Sequence, residues 1–80
     1  MSADNATFIQ QRADQLWWVW DGSMSQELEG CNSPQGNATA KSFTCYGVAL
    51  CYAEWLDTDA GGMGPRSEYG IYFKEPEAVG

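Results

Sequence analysis

Asp57-Thr58-Asp59-Ala60-Gly61-Gly62 has the opening of a calcium-binding loop, and Glu68 falls at the twelfth position counted from Asp57. Such a loop needs an oxygen ligand at its fifth position, where this chain has Gly61, and Pro65 interrupts the remainder. Cys31, Cys45 and Cys51 stand 14 and 6 residues apart without a Cys-x-x-Cys pair, and the chain has no histidine. A closed zinc site would therefore need a carboxylate to complete three thiolates. A nucleophilic cysteine needs a basic neighbour to lower its pKa, and the chain holds only four basic residues. Cys45 and Cys51 lie in the most apolar segment and are expected to be small buried hydrophobes. Glu27 with Glu29, or Asp57 with Asp59, would make a glycosidase pair only beside a sugar-sized cleft, which so small a domain has little mass to form. The glycines of GGMGP lack the Lys-Ser/Thr and the strand–loop–helix context of a phosphate loop. These spacings predict no enzyme, no cofactor and no metal.

What the charge does predict is a partner. Eleven acidic residues oppose Arg12, Lys41, Arg66 and Lys74, a net charge of −7 on 80 residues. A surface so negative keeps the protein soluble, repels nucleic acid and anionic lipid, and attracts basic proteins. The first residues carry no basic region followed by an apolar run, so no signal peptide is expected. The longest apolar run falls far short of the ~20 residues that span a bilayer. With an odd cysteine count, these features predict a cytoplasmic protein of the host cell that touches no membrane. The two Asn-x-Thr tripeptides at Asn5 and Asn37 are then chance matches to a glycosylation acceptor.

At 44% hydrophobic and 14% aromatic, the chain has the composition of one small folded domain covering residues 1–80. Thr7-Phe8-Ile9-Gln10 has the form of a capping box. Ile9, Ala13, Leu16, Trp17 and Trp20 follow one helical face and predict a helix over 6–19, stopped by Asp21-Gly22. The alternative ends that helix near Asp14 and makes residues 16–20 a strand turning at Asp21-Gly22. Residues 24–28 would supply a short strand, and Ser33-Pro34-Gln35-Gly36 a turn. Over residues 37–57, two apolar stripes predict a largely buried helix capped by Asn37 or Thr39 and running to Leu56, although Gly47 and the terminal acids count against it. Thr44, Tyr46 and Val48 would also suit a strand. Residues 59–66 read as a loop. In SEYGIYFKE, Tyr69, Ile71 and Phe73 alternate with Glu68, Tyr72 and Lys74 as in a strand. The expected class is α+β, two helices packed on a short antiparallel sheet.

Trp17, Trp18 and Trp20 cannot share one face of either element. On the helical phase Trp18 lies off the buried side, which makes it the expected exposed anchor, with Asp14 and Asp21 as rim charges. Glu27, Glu29, Asp57 and Asp59 complete the expected partner-binding set. On a strand, Trp17 instead faces away from Trp18 and Trp20. In size, acidity and lack of catalytic groups the chain resembles the small inhibitors of phages and mobile elements, the anti-CRISPR and other DNA-mimic proteins. No shared motif carries a residue's role across. The resemblance implies a monomer that inhibits a basic nucleic-acid-binding protein, such as a CRISPR effector complex, by blocking DNA recognition without binding nucleic acid itself. The alternatives are a regulatory or assembly subunit of a basic host protein, and a carbohydrate-binding module.

Overall fold

The computed structural model describes residues 5–58 and 70–77. In chain order these form β1 (Asn5–Gln11), β2 (Trp17–Ser23), α1 (Met24–Glu29), β3 (Lys41–Phe43), α2 (Tyr46–Thr58) and β4 (Ile71–Phe73). The strands make one sheet in the order β3-β2-β1-β4. β1 pairs antiparallel with β2, and β2 with β3, but β4 joins β1 in parallel. The α+β class holds, while the sheet is mixed where an antiparallel one was expected.

The expected helix over 6–19 is a hairpin. Its apolar residues sort with a period of two: Ile9 and Val19 enter one core, and Phe8 and Trp20 the other. Because both faces of this pair are covered, apolar residues occur at consecutive positions and imitate helical spacing. Thr7, the expected cap, is a buried strand residue opposite Asp21. The chain reverses at residues 12–16 rather than at Asp21-Gly22. There Arg12 N–H donates to the Leu16 carbonyl and Gln15 takes a φ of 68°. Asp14 accepts the Leu16 N–H at 2.9 Å, the short-range side-chain bond that favours aspartate in turns.

The other differences have equally local causes. Residues 24–29 form a helix because Ser23 caps it, accepting from the amides of Ser25 and Gln26, and Gly30 ends it at a φ of 80°. The second helix begins at Tyr46. Asn37 turns back on Thr39, accepting its N–H at 2.8 Å, so neither residue caps α2, and the next residues pair with β2 as β3. The turn at Pro34 is as expected, with Asn37 N–H donating to the Pro34 carbonyl. β4 keeps the expected alternation, since Ile71 packs on the α2 side and Tyr72 on Phe8. The expected loop over 59–66 lies outside the described residues, as do Glu68 and Tyr69.

Two thin cores result. On one face the small side chains of Ala49 and Ala53 bring α2 close to Ile9 and Val19, with Leu56 alongside. On the other, Phe8 stacks on Trp20 at 5.8 Å between ring centroids, and α1 with the following loop covers them. Gly22 sits beneath that cover: an added Cβ would lie 2.7 Å from Asn32 Oδ1 and 3.1 Å from Phe8 Cε2. Gly47 in α2 has open space, with Cys45 Sγ nearest at 3.8 Å. Gly22→Ala should therefore cost about 1–3 kcal/mol by overpacking. Gly47→Ala should gain roughly 0.5–1 kcal/mol from helix propensity. In thermal melts the two midpoints should move in opposite directions, by roughly 4–8 °C per kcal/mol for a domain of this size.

Candidate interaction surface

Trp20 is fully buried, and its indole N–H donates to Asn32 Oδ1 at 2.9 Å. Asn32 in turn donates to Glu27 Oε1 at 3.1 Å, and Lys74 Nζ meets the same oxygen at 2.7 Å. The Lys74 ammonium also lies 5.9 Å from the Trp20 ring centre, within cation–π reach. Burial works against ionising Glu27, but the bonds from Lys74 and Asn32 outweigh it and hold its carboxyl below the usual range. Glu27 thus binds α1 to the segment after β4.

The remaining expected site residues fall in separate places. Asp14 does lie beside Trp18, accepting its indole N–H at 3.1 Å on Oδ2. Asp21 does not join them: three positions along a strand, it faces the α2 side with Thr7. Burial first, then repulsion from Asp57, raises the Asp21 carboxyl above its ordinary value. Asp57 is itself buried, and Glu29 is exposed at the end of α1. Asp59 lies outside the described residues. Among the first three tryptophans none is strongly exposed: Trp20 is buried, and Trp17 and Trp18 are half-buried. The strand alternative, with Trp17 facing away from the other two, is the arrangement observed.

The largest exposed indole is one the first 20 residues do not contain. Trp55 is 45% exposed on the outer side of α2, in line with Val48 at 52% and with exposed Cys51. Tyr52, half-buried, stacks on Trp55 at 5.7 Å and leans on Phe43 of β3 at 5.5 Å. Positions 48, 51 and 55 repeat at helical spacing and form one outward stripe, with Tyr52 at its edge packed against the core. Of the second apolar stripe visible in the sequence, Val48, Cys51 and Trp55 are turned to solvent, Tyr52 is half-buried and Leu56 is buried. Cys45 and Cys51 are accordingly exposed, against expectation, and Cys31 is exposed too. Near the start of α2, Tyr46 meets Trp17 edge-on at 4.7 Å and extends the aromatic surface.

A smaller feature lies across the sheet. Trp18, Pro34, Gln35, Arg12, Asp14 and Glu77 line a cleft of about 270 Å³ beside the hairpin turn. Among the described residues no three cysteines or carboxylates come together to hold a metal, and no helix is long and apolar enough to cross a membrane. Known protein families, curated proteins and solved structures give no match to this chain.

The Glu27 contacts carry a pH dependence. A carboxyl held below its unfolded value contributes stability that is present above the unfolded pKa and lost as pH falls through the folded one. Asp21, shifted upward, works in the opposite sense. Lys74→Met should cost about 1–3 kcal/mol at neutral pH, the worth of a charged hydrogen bond. That difference from wild type should shrink as pH falls through the lowered folded-state pKa of Glu27, below which the carboxyl is protonated in both proteins. Urea melts across this range measure it.

Proposed function

We propose that this chain is a non-enzymatic, monomeric acidic inhibitor that binds the basic nucleic-acid-binding surface of a larger intracellular protein. It acts in the manner of the anti-CRISPR and DNA-mimic proteins it resembles. The supporting observation is the outward stripe of α2, Val48, Cys51 and Trp55 flanked by half-buried Tyr52, on a chain of net charge −7. An exposed aromatic patch on a soluble domain marks an interface, and Trp and Tyr supply most of the binding energy in such patches. Dispersed carboxylates around it steer the encounter toward a basic surface and discourage acidic partners. The apolar centre of the interface moves by this reading from Trp18 to Trp55, with Glu29 and Asp21 as outlying charges that set the rate of approach.

Two outcomes are expected. Trp55→Ala should keep the thermal midpoint within a few degrees of wild type, yet weaken capture of the target by about 2 kcal/mol, near thirtyfold. Trp20→Ala should instead cost roughly 3–5 kcal/mol and unfold much of the domain. The target itself is identified by affinity capture, followed by a DNA-binding assay on the purified captured protein. Inhibition should be complete near molar equivalence, and association should slow as salt shortens the Debye length from about 10 Å at 0.1 M to about 3 Å at 1 M. Retention of the free protein on a DNA column at physiological salt would sink the reading. So would inhibition by turnover at a small fraction of equivalence.

A further inference from the structure

The cleft beside Trp18 lies on the sheet face opposite α2, so it is not part of the stripe. Its volume, about 270 Å³, falls just under the range of roughly 300–1,000 Å³ typical of drug-sized ligands, and suits a single side chain. One wall is the Trp18 indole, fixed by its N–H bond to Asp14. Buried Pro34 and exposed Gln35 close the other side.

The charges around the opening are held by the backbone. Glu77 accepts the Ala13 N–H at 2.8 Å on Oε1, and its Oε2 lies 3.5 Å from the Arg12 guanidinium. Arg12 also donates to Gln10 Oε1 at 3.2 Å, so its charge is engaged within the fold. Asp14 accepts from Leu16 N–H and from the indole. Asp14 lines the cleft, and its two carboxylate oxygens together offer about four acceptor sites, more than the Leu16, indole and own-backbone bonds use. The Leu16 N–H is the largest influence on Asp14, and the net result is a carboxyl held below its ordinary value and ionised at neutral pH. Two carboxylates against one engaged guanidinium leave the cleft net negative.

We propose that this cleft receives an arginine side chain, its guanidinium lying against the Trp18 ring and hydrogen-bonded to Asp14. A planar guanidinium stacks on an indole and presents a fork of donors to a carboxylate, whereas an ammonium is a more strongly hydrated point charge. An anion would meet Asp14 and Glu77, and a neutral side chain would leave the net negative charge of the cleft unbalanced. The function proposed above matters here only as the source of the arginine, a basic protein. The cleft would then be a second anchor, separate from α2.

The test is a titration of the full ¹⁵N-labelled chain with N-acetyl-arginine methylamide, following the Trp18 indole N–H signal assigned from Trp18→Phe. Saturable displacement of that signal is expected, with affinity lower by about tenfold for the neutral citrulline isostere, which keeps N–H donors but loses the cation that pairs with Asp14 and stacks on the indole. Asp14→Asn should reduce arginine binding to a similar degree while its amide spectrum remains folded. If that turn does not tolerate the change, Glu77→Gln should still weaken binding severalfold. No displacement at Trp18, equal binding of citrulline, or equal binding of the lysine analogue would each overturn the proposal. Since the probe is a small amide, failure here leaves target capture through Trp55 untouched, and loss of capture in Trp55→Ala leaves this titration untouched.

Discussion

A buried indole must find a partner for its N–H, and the arrangement of half the molecule follows from how Trp20 finds one. The partner is Asn32, supplied by the loop after α1. An asparagine buried to make one bond needs partners for its own amide, and Glu27 provides one. A half-buried carboxylate then needs a cation, and Lys74 arrives from beside β4. Each step satisfies the polar group that the previous step buried. Among the described residues no buried side-chain nitrogen or oxygen is left without a partner. The order has a direction: removing Lys74 exposes a cost at Glu27, whereas removing Trp20 leaves every later member without its reason to be there.

This chain of obligations leaves the two faces of the sheet unequal. The Trp20 face is closed by polar bonds between segments distant in sequence. The other is closed by α2 alone, through alanines at positions 49 and 53, whose small side chains bury little area of their own. A helix that needs only two alanines and Leu56 to dock has its opposite side free to carry large residues. Val48 and Trp55 occupy it, while Tyr52 packs at the seam between helix and sheet. The two exposed residues, Val48 and Trp55, take little part in the packing that closes this face.

How much of this the amino-acid pattern discloses depends on whether an element has one covered face or two. Ile71 and Tyr72 sit in an edge strand, and their alternation is plain to read. β1 and β2 are covered on both sides, so consecutive apolar positions such as Phe8-Ile9 and Val19-Trp20 blur the period of two into something helical. The stripes of α2 are visible in the sequence, but which of them faces inward is decided by the size of Ala49 and Ala53 against the sheet, a fact of packing. Glu27 reads as one more surface acid because Lys74, 47 positions away, is invisible to local pattern. The pairing of Asp14 with Trp18 was legible from their closeness in the chain. Asp21 was placed beside them by helical phase and is carried to the other face by strand geometry. Cys51 reads as core for the same reason that Trp55 does: apolar character does not say which side of a helix is wet.

The parallel pairing of β4 with β1 also sets an order of events as the chain folds. The β1–β2 hairpin joins neighbours in sequence and closes a five-residue turn, a step of microseconds. β4 must find Thr7 from Ile71, and Glu77 must find Ala13 across 64 positions. Such a closure is entropically costly before any contact rewards it, and it is slow on the scale of hairpins. Until it happens, Glu27 has no ammonium and the Phe8–Trp20 cover has no clasp. The aromatic face of the first strands is therefore fully secured only once residues 70–77 have docked. A net charge of −7 gives those waiting chains a reason to stay apart.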